Sequence, residues 1–217
     1  WTFNFCLLSY FDFCGGLMYN KQMTAWLVEQ GVTEYTITEG TSSFNSLMWL
    51  LKLIKDHAPD AKKVLEIGLN LGHSSDAILE HTNAKVVSFD LKQFGYSELV
   101  KNYFSQHYPD RHTIIWGDST VTIPNYDPEF KVFDVIFIDG CHDYEVVKAD
   151  LENCKELSDN GTLIILDDIV RTNPEPWNEG PTRAWEEMIA EGKIEEIENT
   201  YQTFTGSRGL VAGRYMW

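Results

Sequence analysis

The run VLEIGLNLG at residues 64–72 constrains the chain more than any other stretch. A short apolar segment broken by one carboxylate, followed by small and polar residues, is the pattern of a buried parallel strand that empties through a tight turn into a helix. Gly68 and Gly72 leave room for a ligand to approach the backbone, and Glu66 stands where a charged ligand end can be held. Ligands of open α/β sheets bind at the carboxyl edge of the strands. The turn therefore marks the edge where a nucleotide-like ligand is expected.

Downstream, strands and helices alternate. The pattern predicts strands at 63–67, 85–90, 112–116, 133–138 and 161–166. Helices are expected at about 73–81, 96–107, 119–123 and 143–157. Such alternation implies a parallel sheet with helices on both faces. VFDVIFID and GTLIILDD are nearly unbroken apolar runs ending in carboxylates, as strands covered on both faces should be. The tail changes character. After a helix at 181–191, KIEEIENTYQTF and SRGLVAGRYMW read as two strands joined near Gly206, a hairpin signal. SFNSLMWLLKLIKDH has helical spacing, with Ser42 or Ser43 as N-cap and Pro59 as the stop. Two units are expected: a helical preface or cap at 1–40 and an α/β domain at 41–217. A start at Trp1 suggests a trimmed chain or one domain of a longer protein.

Composition narrows the partners. A formal charge of −16 with 17 scattered Lys and Arg argues against nucleic acid, whose phosphates need clustered basic residues. Cys6, Cys14, Cys141 and Cys154 show neither CxxC spacing nor a compact disulfide layout, which points to reduced thiols and a cytoplasmic setting. The chain contains no membrane-length apolar run, and its apolar opening has no basic leader.

The turn does not read G-x-G-x-x-G, which weakens a nicotinamide-dinucleotide reading. Glu66, Gly68, Gly72 and Ser74 instead form E-x-G-x-x-x-G-x-S, with Asn70 between the glycines. This string resembles the first motif of class I S-adenosylmethionine-dependent methyltransferases, in their small-molecule O-methyltransferase branch. The likeness covers roughly residues 40–217. It implies a Rossmann-like sheet of seven strands ending in an antiparallel hairpin. Glu66, the Gly68–Gly72 backbone, Asn70 and Ser74 would then face the methionine end of the cofactor. Asp90 closes the second strand, where a carboxylate can accept both ribose hydroxyls. Asp118 and Ser119, after the third strand, would lie near the adenine, although Gly-Asp-Ser is also ordinary turn and N-cap chemistry.

Asp139 ends the fourth strand, and Asp167 and Asp168 end the fifth. Three carboxylates at one sheet edge repel unless a cation intervenes, and an all-oxygen cluster suits Mg²⁺ (or Mn²⁺). Metal-dependent O-methyltransferases place an Asp and an Asp-Asp pair in this way. The Asp-Asp version, followed by Gly180, Arg183, Ala184 and Glu187, is most similar to the sugar O-methyltransferases of macrolide and aminocoumarin pathways. His142 falls where the catechol branch has Lys and where some sugar-modifying relatives use His as general base. Each has a bland reading: Asp167 as a cap, Asp168 as a solvated neighbour, Asp143 as the N-cap of the next helix, Cys141 as packing.

The stiff segment RTNPEPWNEGP at 171–181 is the expected lid. Trp177 in it is a candidate substrate wall, since aromatic faces pack against the C–H faces of sugars. Thr41 is expected to close the other side. The resulting expectation is a Mg²⁺-assisted methyl transfer to a sugar or glycan hydroxyl, with Asp139 and His142 catalytic. The alternatives are a catechol or phenolic acceptor, or a non-catalytic cofactor-binding module. Candidate partners are a second copy of the chain or a neighbouring glycan-processing domain.

Overall fold

In this computed structural model the strands are β1 (Lys63–Ile67), β2 (Lys85–Asp90), β3 (His112–Trp116), β4 (Val135–Ile138), β5 (Leu163–Ile169), β6 (Ile194–Asn199) and β7 (Gly209–Tyr215). The helices are α1 (Lys21–Glu29), α2 (Glu34–Glu39), α3 (Phe44–His57), α4 (His73–His81), α5 (Ser97–His107), α6 (Ser119–Thr122), α7 (Tyr144–Lys155) and α8 (Glu179–Ala190). The structure describes residues 21–39, 44–127, 132–172, 175–200 and 208–217. Thr41, Ser42, Ser43, the Gly206 turn and residues 1–20 lie outside the described residues.

The seven strands form one sheet in the order β3-β2-β1-β4-β5-β7-β6. The first five pair in parallel, while β7 runs antiparallel to both β5 and β6. The fold is therefore the mostly parallel, Rossmann-like sheet with a terminal hairpin that the sequence implied. Alternate residues feed two separate cores. Val64, Phe137 and Ile165 point to the face covered by α1, α3, α4 and α5. Leu65, Ile136, Ile138, Ile164 and Leu166 point to the face covered by α7 and α8. Period-two alternation with both faces apolar explains why these strands read as continuous apolar runs. Met23, Leu27 and Ile37 of α1 and α2 enter the first of these cores.

Register sets the site. Ile67 pairs with Ile138, and Ile138 with Leu166, so Gly68, Asp139 and Asp167 leave the sheet at one edge. Strand β5 departs from its expected span by continuing to Ile169. Between Leu166↔Val211 and Ile169↔Gly209, three steps along β5 face two along β7, and Asp168 takes a left-handed φ of 60°. A bulge of this kind re-aims a side chain, here the second aspartate of the pair.

Candidate active site

The turn after β1 is held from several sides. Gly68 has a φ of 94°, and a Cβ there would lie 2.0 Å from the Asp139 carbonyl oxygen. The backbone of the turn and the end of β4 thus touch, which only glycine permits. Asp90 accepts the Leu69 and Asn70 backbone N–H groups at 3.1 and 3.0 Å through one oxygen, and that of Lys92 at 2.7 Å through the other. The Tyr96 hydroxyl donates to Asn70 Oδ1. Asn70 also carries a positive φ.

Glu66 is fully buried. One oxygen accepts from the Ser74 hydroxyl at 2.5 Å, and the other from Ser75 and Ser88 at 2.5 and 2.7 Å. His112 Nε2 lies 2.8 Å from the Ser88 hydroxyl. The carboxylate is a brace beneath the turn, tying β1 to the start of α4, and burial pushes its pKa up against those three donors. Ser75, Ser88 and His112 were invisible as site residues in the sequence, because their role arises only when β2 and β3 pack beside β1. Asp118 caps α6, accepting from the Thr120 N–H at 2.9 Å and the Thr120 hydroxyl at 2.7 Å. Its turn-and-cap chemistry is real, and Ser119 is the first residue of that helix. His73 is buried, and desolvation lowers its pKa to about 4.

Asp139, Asp167 and Asp168 do converge. Burial, and then the neighbouring Asp167 and Asp168, hold the Asp139 carboxyl well above its ordinary range. Burial and Asp168 push Asp167 up to about 6. Asp167 Oδ1 accepts the backbone N–H of Asp168 at 2.6 Å. The two oxygens of Asp168 are engaged by different nitrogen groups. His142 Nε2 lies 2.8 Å from Oδ2, and Arg208 Nη1 lies 2.9 Å from Oδ1. The bond to Asp168 raises the pKa of His142. Arg208 had no sequence signal. It comes into the site because Gly209 pairs with Ile169 across the antiparallel hairpin.

Single ligand atoms of Asp139, His142 and Asp168 lie within 4.8 Å of one another, a spacing a divalent cation would accept. Asp167 is not part of that group, unlike in the expected ligand set. The nitrogen groups paired with Asp168 compete with an ion for the same oxygens. Both Asp168 oxygens already hold nitrogen donors, one of them a permanently charged guanidinium. As the side chains stand, the charge of the cluster is met by Arg208 rather than left open for the expected Mg²⁺ or Mn²⁺.

Around this cluster, the Trp177 ring lies 5.5 Å from the His142 ring and 6.0 Å from the Arg208 guanidinium. Trp177 is partly exposed, with its Nε1–H donating to Glu175 at 2.6 Å. Gly180 lets α8 approach closely, since a Cβ there would meet the His142 carbonyl oxygen at 2.0 Å. Arg183 stacks over the Tyr144 ring at 3.8 Å and pairs with Glu187 at 3.1 Å. The GPTRAWEE start therefore clamps the segment that carries His142. Asp143 stands at the N-cap of α7 without a side-chain cap bond, and Cys141 is an exposed free thiol.

Residues 65–169 match the family described as "Methyltransferase domain". Solved structures share the fold. A candidate caffeoyl-CoA O-methyltransferase from Staphylococcus aureus is 19% identical, with a TM-score of 0.69 over 91% of this chain and 93% of that one. The O-methyltransferase of Bacillus cereus, in complex with SAH, is 23% identical, with a TM-score of 0.64 over 89% and 100%. CalS11, a TDP-rhamnose 3'-O-methyltransferase of calicheamicin biosynthesis, is 17% identical, with a TM-score of 0.58 over 87% and 86%. No curated protein matches the chain. The chain thus has the fold of the S-adenosylmethionine-dependent methyltransferases. Among the described residues no helix is long and apolar enough to cross a membrane.

Proposed function

We propose that this chain is an S-adenosylmethionine-dependent O-methyltransferase that methylates a hydroxyl of a sugar or sugar-bearing small molecule, with His142 as general base. The observation that carries the reading is the 2.8 Å contact of His142 Nε2 with Asp168 Oδ2, beside the part-exposed Trp177 ring. A neutral imidazole that donates Nε2–H to a carboxylate keeps Nδ1 as its basic nitrogen. Asp168 thus fixes the tautomer and orientation, and His142 accepts the acceptor's hydroxyl proton at Nδ1.

At the turn, Gly68 packs on the Asp139 backbone and Gly72 on the Phe104 and Met23 side chains, too closely for a Cβ, which holds the loop carrying Asn70 at the sheet edge beside Ser74 and the Glu66 brace. The loop suits the methionine end of the cofactor. Asp90 suits the ribose, and Asp118 and Ser119 border the adenine side. Bound there, S-adenosylmethionine supplies a sulfonium methyl, whose C–S bond breaks as the acceptor O–C bond forms, the electron pair passing to sulfur. The expected magnesium-assisted step is not carried into this reading, because Arg208 already satisfies Asp168. A sugar acceptor is supported by the pairing of a base with an aromatic platform: a sugar hydroxyl is far less acidic than a phenol and depends more on that base.

The test is transfer of a radiolabelled methyl group from S-adenosylmethionine to a panel of deoxysugar glycosides and catechols. His142→Gln is expected to cut turnover ~10²–10⁴-fold, the usual worth of a general base, with S-adenosylhomocysteine affinity unchanged. Transfer to catechols alone would overturn the sugar reading, and failure to bind S-adenosylhomocysteine would overturn the class.

A further inference from the structure

The cluster at the ends of β4 and β5 assembles three carboxylates, and the permanent cation set against them among the described residues comes from the far end of the chain. Asp168 is almost wholly buried, its side chain 4% exposed, whereas that of Arg208 is 41% exposed. The guanidinium anchors one N–H on Asp168 while its side chain stays part exposed, 6.0 Å from the Trp177 ring, which in turn lies 5.5 Å from His142. A guanidinium has five N–H donors in a fixed plane, and one is accounted for by Asp168 Oδ1. It stays charged at any pH the fold survives.

Two further features show that this position is built. Asp168 adopts its left-handed backbone within the β5 bulge, a conformation that non-glycine residues hold only where the surroundings enforce it. The same bulge sets Gly209 opposite Ile169, which places Arg208 at the mouth of the pair rather than along the sheet.

From these placements we propose that Arg208 is the resident cation of this site. Its guanidinium neutralises the Asp139–Asp167–Asp168 cluster and donates a hydrogen bond to an oxygen of the acceptor, so that methyl transfer proceeds without a divalent ion. The inference rests on the O-methyltransferase reading and assigns its electrostatic partner. His142 takes the proton. Arg208 steadies the oxygen beside the one that reacts. The negative charge that would otherwise oppose ionisation of the acceptor hydroxyl is balanced before the acceptor arrives.

The experiment is calorimetric titration of the whole chain with MnCl₂ in the presence of S-adenosylhomocysteine, comparing wild type, Arg208→Gln and Arg208→Lys. The wild type is expected to show no saturable Mn²⁺ binding up to ~1 mM. Arg208→Gln should bind Mn²⁺ at least ~10-fold more tightly, the scale set by removing one unit charge a few ångströms away in a part-buried site. Adding Asp139→Asn to that variant should abolish the gain, and Arg208→Lys should not show it. Wild-type activity should survive EDTA. Saturable Mn²⁺ binding by the wild type that Asp139→Asn removes, or no gain in Arg208→Gln, would overturn the inference. The S-adenosylhomocysteine titration separates the two claims: binding of that ligand with the wrong metal behaviour sinks only the role of Arg208, while its absence sinks the enzyme class.

Discussion

At Asp168 each carboxylate oxygen meets a different nitrogen group, His142 on one side and Arg208 on the other, so a single residue sets the position of both. This has a measurable consequence for pH. The bond to Asp168 raises the pKa of His142 above its ordinary 6.5. The base form predominates only above that raised value, so initial rates should climb with pH through a limb lying above 6.5. Asp168→Asn removes the stabilised imidazolium and should move the limb to lower pH, while the maximal rate falls because the tautomer is no longer fixed. A pH–rate profile of the two proteins checks this, and an unmoved limb would separate the titration from His142. The aspartates and His142 were legible in the sequence because they follow apolar runs directly. Arg208 was not, because no local spacing links it to Asp168; only the antiparallel register of the tail does so.

Among the elements, α7 carries an instructive anomaly. Asp150 faces inward and is buried, and neither carboxylate oxygen has a well-formed hydrogen-bond partner among the described residues. Burial pushes its pKa up to about 7, against the partial pull of the nearby Ser119 side chain. The folded chain therefore keeps a proton that the unfolded chain releases near pH 4. Stability from this group is highest below that pH and declines as pH rises towards about 7, where it levels off. Asp150→Asn should raise stability at pH 8 by an amount on the order of 2–4 kcal/mol, since each pH unit between the unfolded and folded pKa values is worth roughly 1.4 kcal/mol. The same substitution should flatten the decline in stability between pH 5 and 7. Thermal melts across that range test the sign. The elements were mostly readable, since a covered parallel strand is a continuous apolar run and a helix repeats its apolar face. The extension of β5 past its aspartates was not readable, because the bulge depends on pairing with β7, a partner distant in sequence.

For the molecule as a whole, the two cores flanking one sheet account for stability, and charge opposes it. A formal charge of −16 on 217 residues produces net self-repulsion that compactness makes worse. Exposed pairs such as Lys52–Asp56 and Lys193–Glu152 recover little of it, since surface ion pairs are worth roughly 0–1 kcal/mol. Added salt should therefore stabilise the fold. A melting temperature that rises steadily from low ionic strength to ~0.5 M NaCl is expected, because screening weakens the like-charge repulsion most. A fall would mean that the attractive pairs dominate.

The placement of β7 has one last consequence. This strand follows β6 in the chain yet lies inside the sheet, between β5 and β6, and Arg208 immediately precedes it. The strand that completes the pairing between β5 and β6 is thus also the one that carries the counter-charge to the aspartates. On the proposed reading the site is complete only with the final strand in place, and a charge carried by the chain itself is out of a chelator's reach.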